Sequence, residues 1–144
     1  MKIATWNING IKARHDNVIA WLKEANPDIA CLQEIKSVDE AFPRSEIEAL
    51  GYNLETHGQK GFNGVAILSK RGIDETRARL PGNDADEQAR YLEADIAGDN
   101  GVVTVASIYL PNGNPIGTDK FAYKLAWMER LEAFRQLLHR HPSY

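Results

Sequence analysis

Two polar residues stand where two strand-like segments of this 144-residue chain end. Asn7 closes residues 2–7, and Glu34 follows the apolar run of residues 28–33. If the two strands are neighbours, both side chains emerge at one edge, where Mg²⁺ would find oxygen ligands and the single carboxylate that it often takes. Glu34 would supply that carboxylate, and Asn7 a neutral oxygen or an orienting hydrogen bond. The same residues are also typical of surface caps, so spacing alone leaves both interpretations open.

A third strand-like segment ends in Tyr109, and Asn112 follows it after a Leu-Pro step. A tyrosine at a strand end is usually an amphipathic core residue whose hydroxyl stays in contact with water. The alternative is that Tyr109 and Asn112 reach the same edge as Asn7 and Glu34 and donate hydrogen bonds to a phosphate oxygen. The functional interpretation therefore depends on the convergence of these strand ends.

Residues 57–64 form a glycine-rich loop around Lys60 and Phe62. Glycines let a backbone approach a ligand closely, so Lys60 could meet a phosphate and Phe62 could stack on a base or wedge between bases. An ordinary hairpin loop has the same composition. Lys12 and Arg90 are further candidates for phosphate contacts, although each taken alone is typical of a solvated surface charge.

Hydrolysis also needs a group that activates water, and the sequence offers no evident one. Of the four histidines, His57 belongs to the glycine-rich loop, and His139 and His141 are spaced so that they do not share a helix face. Asp95 lies inside a predicted strand and Asp99 in a turn. We therefore expect this chain to build a metal ligand and phosphate donors, but no base.

The elements that would position these residues alternate between strands and helices. Residues 2–7 and 28–33 flank a helix at 17–25, which is the order of a parallel strand pair joined by a crossover. The remaining predicted elements are a helix at 44–50, strands at 52–56, 65–69, 91–97 and 102–109, and a hairpin turn at 98–101.

An amphipathic helix is predicted near the C-terminal end of the chain, ending at His141-Pro142. Its apolar face consists of Phe121, Leu125, Met128, Leu131, Phe134 and Leu138. Together the elements predict one mixed sheet with helices on one side and an uncovered apolar face on the other. Such a face would promote aggregation or dimerisation.

Composition excludes several classes of protein. Hydrophobic residues make up 43% and charged residues 26%, the balance of a globular domain, and no apolar run approaches the roughly 20 residues of a membrane span. The net charge of −3 argues against coating nucleic acid over a wide basic face, yet a nuclease needs only a local basic lip. A lone Cys31 in an apolar run, without a signal peptide, predicts a reduced core thiol in a cytoplasmic protein.

Four motifs occur in order along the chain. They are Thr5-Trp6-Asn7-Ile8-Asn9-Gly10, Cys31-Leu32-Gln33-Glu34-Ile35-Lys36, Gly61-Phe62-Asn63-Gly64-Val65-Ala66 and Tyr109-Leu110-Pro111-Asn112-Gly113. In combination they closely resemble the exonuclease III or abasic-site (AP) endonuclease family of the endonuclease/exonuclease/phosphatase superfamily. The resemblance implies an α/β fold, a DNase I-like four-layer α/β/β/α sandwich. Residues 1–144 would be the N-terminal part of that single domain, roughly its first sheet-plus-helices half.

The resemblance also implies an activity and residue roles. The activity is Mg²⁺-dependent hydrolysis, with Mn²⁺ as an alternative, of double-stranded DNA at abasic sites or 3′ ends in base excision repair. Asn7 and Glu34 match metal-site residues of the family, and Tyr109 matches its active-site tyrosine. Positions that would contact phosphate or DNA are Lys12, Gly61, Phe62, Arg90 and Asn112, to which the loop composition adds Lys60.

The family pattern continues with a Gly-Asp-x-Asn strand end and a Ser-Asp-His motif that this sequence does not contain. Those residues would supply the water-activating Asp and a phosphate-binding His. We therefore expect that the C-terminal half of the domain is missing and that this chain alone is inactive. Two alternatives remain open: a superfamily phosphatase acting on phosphoinositides or sphingolipids, and a non-catalytic nucleic-acid-binding regulator of the same fold.

Overall fold

The computed structural model describes residues 1–140, with the side chains of residues 1–136. Its strands are β1 (Ile3–Asn7), β2 (Ile29–Gln33), β3 (Asn53–His57), β4 (Val65–Ser69), β5 (Ile73–Ala78), β6 (Tyr91–Gly98) and β7 (Gly101–Ile108). Its α-helices are α1 (Ile11–Ala25), α2 (Ser45–Ala49) and α3 (Asp119–Arg140). The chain divides into two compact units, of which the first holds residues 1–79 and 88–109 and the second holds residues 80–87 and those from 110 onward.

Four strands of the first unit form a sheet in the order β1-β2-β4-β3. β1 and β2 are parallel and joined through α1, as the strand–helix–strand pattern predicts, and the other two pairs are antiparallel. β2 and β4 are buried along their whole length because their residues are apolar on both faces, which suits central strands. The sequence thus places the two polar residues of interest at the ends of adjacent strands.

The other three strands form a second, antiparallel sheet in the order β5-β6-β7. The expectation of one mixed sheet with an uncovered face is therefore wrong, although the α/β class with two sheets and helices agrees with the predicted fold. Sequence reasoning missed β5 because its residues, Ile-Asp-Glu-Thr-Arg-Ala, show no apolar alternation. Besides its backbone pairing with β6, this strand is held by ion pairs from Arg77 to Glu93 and Asp95.

Apolar side chains of the first unit lie in two layers. One layer packs α1 and α2 against the four-stranded sheet, and the other fills the space between the two sheets, with Ile29 and Ile67 on one side and Leu92 and Ile96 on the other. Cys31 lies in this second layer, and burial raises the pKa of its thiol to about 11. The thiol is therefore protonated at neutral pH, which agrees with the predicted core role.

Helix α1 begins six residues earlier than the apolar spacing predicts. Gly10, with φ of 100°, precedes its first residue, Ile11, which is fully buried. The polar run between Ile11 and Val18 hides this first turn from a periodicity argument. At the other end Asn26 takes a left-handed conformation and its N–H caps Leu22 O, as expected before a proline.

The second unit is built on α3, whose buried face agrees with the predicted one at Phe134 but not at Leu125 and Met128. Trp127 and Phe134 are buried, whereas Leu125 and Met128 are 48% and 43% exposed. The buried Asp86–Arg130 ion pair, at 2.7 Å, fixes residues 80–87 against the Trp127 face of the helix. Leu138 and the expected helix end at His141-Pro142 lie outside the residues whose side chains are described. Within the described part of the chain, no helix is long and apolar enough to cross a membrane.

Candidate active site

The ends of β1 and β2 stay hydrogen-bonded beyond the last residue of each strand. Ile8 N donates to Gln33 O at 3.0 Å, and Gly10 N donates to Glu34 O at 2.7 Å. The pairing therefore extends as the two chains leave the sheet, which brings Asn7 and Glu34 side by side. Asn7 Nδ2 donates to Glu34 Oε1 at 3.0 Å.

The second hydrogen bond of Asn7 fixes the orientation of its amide. Asn7 Oδ1 accepts from the backbone N–H of Asn9 at 3.1 Å. With its oxygen used in this way and its nitrogen on Glu34, Asn7 holds the carboxylate in place. Of the two roles the sequence allows for Asn7, this geometry favours the orienting hydrogen bond, and its role as a metal ligand stays a prediction.

Tyr109 is the third predicted residue that the structure brings to this point. Burial raises the pKa of Tyr109, and the charge and hydrogen bond of Glu34 raise that pKa further, while Arg90 opposes them. The phenol is therefore protonated at neutral pH and can donate a hydrogen bond. We call the group formed by Asn7, Glu34 and Tyr109 the strand-end site.

Arg90 lies over the ring of Tyr109, with its guanidinium carbon 4.9 Å from the ring centroid. The backbone reinforces this contact, because Tyr109 N donates to Arg90 O at 2.8 Å. A cation held on an aromatic face beside a carboxylate is positioned to meet a phosphate. The structure thus brings predicted residue Arg90 next to the strand-end site.

Sequence reasoning missed Lys36, which contacts the same carboxylate. Lys36 Nζ donates to Asn9 Oδ1 at 2.6 Å and lies 3.6 Å from Glu34 Oε2. Its position two residues after Glu34 was a signal, although strand alternation alone does not place its ammonium beside that side chain. Lys36 neutralises part of the negative charge that Glu34 brings to the site.

Four residues around the site have the left-handed backbone conformation: Asn9, Glu34, Lys36 and Asn63, with φ between 49° and 54°. This conformation costs most L-residues about 1–2 kcal/mol each, so other interactions must hold it. Ile35 N donates to Gly64 O and Lys36 N donates to Asn63 O, which ties the turn after β2 to the turn before β4. In an extended strand Glu34 would point to the α1 side, so its φ re-aims the carboxylate.

The glycine-rich loop presents Phe62 to solvent, with 70% of its surface exposed. The loop itself is braced, because Gln59 Oε1 accepts from Ala89 N at 2.7 Å and from Asn63 Nδ2 at 3.0 Å. Lys60 and Gly61 are also exposed. Phe62 is therefore accessible to a ligand, and its predicted contact with DNA stays a prediction.

Lys12 and Asn112 are the other residues predicted to contact phosphate. Lys12 is exposed in the first turn of α1, two residues after Gly10. Asn112 belongs to the second unit, where its Oδ1 accepts from Asn114 N at 3.2 Å. Their predicted phosphate contacts stay predictions.

The donor set suits one kind of metal. Among the described residues, no cluster of three or more His, Cys, Asp or Glu side chains could enclose an ion. Glu34 offers a single carboxylate with amide oxygens nearby, which fits a hard dication that keeps several waters, such as Mg²⁺. It does not fit a structural zinc ion, which takes four protein ligands.

The chain is similar to known DNA-processing enzymes. The sequence pattern described as the endonuclease/exonuclease/phosphatase family matches residues 4–143. Exodeoxyribonuclease III of Haemophilus influenzae is 42% identical over 113 residues, which are 78% of this chain and 42% of that protein. The chain thus spans less than half the length of this relative.

Solved structures give the same result. An AP endonuclease from Archaeoglobus fulgidus is 42% identical with a TM-score of 0.83, over 91% of this chain and 49% of that one. The 3′ phosphatase NExo from Neisseria, solved with a product DNA hairpin, is 35% identical with a TM-score of 0.89, over 97% and 53%. The fold expected from the motifs is therefore shared with these enzymes.

Proposed function

We propose that this chain, which belongs to the endonuclease/exonuclease/phosphatase family, forms the N-terminal part of a Mg²⁺-dependent DNA phosphodiesterase acting at abasic sites and 3′ ends. The observation that carries the proposal is the convergence of Asn7, Glu34 and Tyr109 from three strand ends. The names of its relatives, an exodeoxyribonuclease and an AP endonuclease, support the choice of substrate.

Each residue of the site has a distinct task in this proposal. Glu34 would hold Mg²⁺, or Mn²⁺ in its place, with its carboxylate fixed by Asn7 and its charge balanced by Lys36. When bound, the ion supplies Lewis-acid stabilisation of charge on the scissile phosphate. Tyr109, kept protonated by its raised pKa, donates a hydrogen bond to a phosphate oxygen. Asn112 is a second donor on the strength of the motif match alone.

DNA would be held by the basic and aromatic groups around the site. Lys12, Lys60 and Arg90 neutralise backbone phosphates, and Phe62 on its braced loop inserts beside the lesion, where Gly61 lets the backbone come close. An abasic nucleotide has lost its stacking and pairing, so it is cheap to swing out of the duplex. A basic surface confined to the site would let the chain bind DNA despite its net charge of −3.

No water-activating base is predicted in this chain. That group would therefore come from the complementary half of the domain. Removing a base costs about 10²–10⁴-fold in rate, so we expect the 144-residue chain alone to be inactive. Supplied with the complementary half of the Haemophilus relative, as a fusion, it should cut a duplex carrying one abasic site in the presence of Mg²⁺.

The decisive measurement is gel-based cleavage of an end-labelled abasic duplex by that fusion, with Glu34→Gln as the matched variant. We expect Glu34→Gln to lower the rate by about 10²-fold or more, since it removes charge at the metal. Equal cleavage by both fusions would defeat the proposal, as would Mg²⁺-dependent cutting by the isolated chain within tenfold of the fusion.

A second candidate acts at the same site on a different group. The chain is 35% identical to a 3′ phosphatase, and a terminal 3′ phosphate presents the same oxygens to Glu34 and Tyr109. Release of inorganic phosphate from a 3′-phosphorylated duplex, faster than cleavage at an abasic site, would favour it. Turnover of inositol phosphates would instead favour a lipid phosphatase, and DNA binding that persists unchanged in Glu34→Gln without any turnover would favour a regulator.

A further inference from the structure

Buried polar side chains cross the apolar layer between the two sheets next to the strand-end site. Gln33 Nε2 donates to Ser107 Oγ at 3.2 Å and to Thr5 Oγ1 at 2.9 Å. Ser107 Oγ in turn donates to Leu32 O at 3.0 Å. We call this the Gln33–Ser107 bridge. It connects β1, β2 and β7, which are the three strands whose ends form the strand-end site.

The bridge interrupts a face that is otherwise apolar. Along β2, Ile29 and Cys31 point towards the second sheet and Gln33 takes the next position on that face, while on β7 Val105 precedes Ser107 in the same way. Ser107 is fully buried, and Gln33 is 9% exposed. Burying polar groups costs free energy that their hydrogen bonds only offset.

Stability alone does not call for such a bridge. Replacing both partners of a buried hydrogen bond by apolar groups of similar shape is often nearly neutral. Apolar contacts are non-directional, however, whereas hydrogen bonds fix distance and angle. The property that the bridge adds is therefore a defined offset between β2 and β7, which belong to different sheets.

We propose that Gln33 and Ser107 are positioning residues that set the place of the Tyr109 hydroxyl relative to the Glu34 carboxylate. Gln33 directly precedes Glu34, and Ser107 lies two residues before Tyr109 on the same face of its chain. Active sites need their groups within about 0.5 Å of the productive geometry. The inference rests on the proposed function, because the pair that it positions is the one assigned to metal and phosphate.

The test uses the metal-free chain and a readout that reports the Tyr109–Glu34 contact. The ¹³Cζ resonance of Tyr109 is recorded in tyrosine-labelled protein and assigned by its loss in Tyr109→Phe. The Glu34→Ala variant gives the chemical shift of this resonance when the Glu34 carboxylate is absent. The double variant Gln33→Met/Ser107→Ala should move this resonance to the Glu34→Ala position, while the unfolding midpoint shifts by only a few degrees.

Two matched variants separate positioning from packing. Ser107→Thr keeps the hydroxyl and should keep the wild-type resonance, whereas Val105→Ala removes packing from the same face of β7 without touching the bridge and should also keep it. A wild-type resonance in the double variant would overturn the inference, as would an equal displacement in Val105→Ala. If the double variant does not fold, Ser107→Ala alone decides by the same criteria.

Mg²⁺ affinity, measured by calorimetry, separates this inference from the proposed function. We expect the double variant to bind Mg²⁺ about 10-fold more weakly, in the range typical of groups that orient a metal ligand. If Mg²⁺ binds equally well to wild type and Glu34→Ala, the proposed function fails. The Tyr109 resonance still tests whether the Gln33–Ser107 bridge has a positioning role. If Mg²⁺ binding depends on Glu34 but the double variant changes neither the resonance nor the affinity, only the positioning role fails.

Discussion

The two ends of the paired sheets in the first unit are built differently. At the strand-end site, backbone hydrogen bonds continue past the strands and hold four residues in the left-handed conformation. At the opposite end, β1 and the β6–β7 hairpin border an apolar groove of about 370 Å³ lined by Met1, Ile3, Val102 and Val103. The opposite end also has hydrogen bonds beyond its strands, such as Lys70 N to Asp28 O at 2.9 Å, but the apolar side chains that line its groove are largely exposed. Substitutions at the first end should therefore cost more than substitutions at the second.

The largest effect on stability is expected from Gly64→Ala. A Cβ on Gly64 would lie 2.5 Å from Ile35 Cγ1, at a φ of 91° that L-residues rarely adopt. Overpacking and the left-handed conformation together should lower the free energy of unfolding by about 3 kcal/mol. Gly51→Ala is the control, because its φ is 97° but no atom lies within 4 Å of its Cβ. It should cost about 1 kcal/mol in urea unfolding, and equal losses would show that the turn is not tightly packed.

Glu34→Ala should have the largest effect on ligand binding while leaving the fold intact. Outer-shell groups alone are worth about 10–100-fold in metal affinity, so loss of the Glu34 carboxylate should weaken Mg²⁺ binding by at least about 100-fold. Glu48→Ala removes a carboxylate from the exposed Arg44–Glu48 pair and should change nothing. Calorimetric titration of both variants with Mg²⁺ compares them, and similar affinities would place the ion elsewhere.

An effect of intermediate size is expected from the pKa of Tyr109, which belongs to the strand-end site. Glu34→Gln should lower this pKa because it removes a nearby negative charge, and Arg90→Gln should raise it. Since the folded pKa lies above the usual value near 10, the linked stability is present below pH 10 and is lost as pH rises through the folded pKa. Between pH 9 and 11, the free energy of unfolding measured in urea should therefore fall more steeply with pH for wild type than for Tyr109→Phe. Parallel slopes would contradict the raised pKa.

The smallest change in stability is expected at the end of the sheets that borders the apolar groove. Val102 is 62% exposed on β7, an edge strand that pairs only with β6 and carries no charged residue. Such edges promote association, so Val102→Lys should reduce self-association in light scattering and change the free energy of unfolding by less than about 0.5 kcal/mol. Ala20→Lys adds the same charge to the exposed face of α1 and serves as the control. Equal reductions would mean that net charge, not the edge, governs association.

Sequence patterns predicted the elements whose apolar residues repeat regularly. β2 and β4 are continuous apolar runs, and the hairpin between β6 and β7 is marked by Gly98 and Gly101. β5 was missed because Arg77 and its partners replace apolar burial, and the buried face of α3 was partly misassigned because Arg130, a charged residue, faces inward with Trp127. Paired charges escape periodicity arguments since their partners lie far along the sequence.

For the site, residue type and strand position predicted Asn7, Glu34 and Tyr109, and the structure places them together. The second sheet covers the face that was expected to be exposed, and exposed apolar residues lie instead on the edge strand β7. Lys36 was missed although it lies two residues after Glu34, and the Gln33–Ser107 bridge could not be predicted. The first depends on a left-handed turn, and the second joins side chains 74 residues apart in sequence.

Arg77 gives β5 a mode of attachment unlike that of any other strand in its sheet. Its guanidinium contacts Glu93 and Asp95 at 2.7 Å, and it holds the pKa of Asp95 below its usual value. Attachment through charge responds to solvent conditions that leave apolar packing largely unaffected. In strong salt, or in acid that protonates these carboxylates, this strand should exchange its amide hydrogens sooner than β6 and β7, and the sheet should come apart from that margin first.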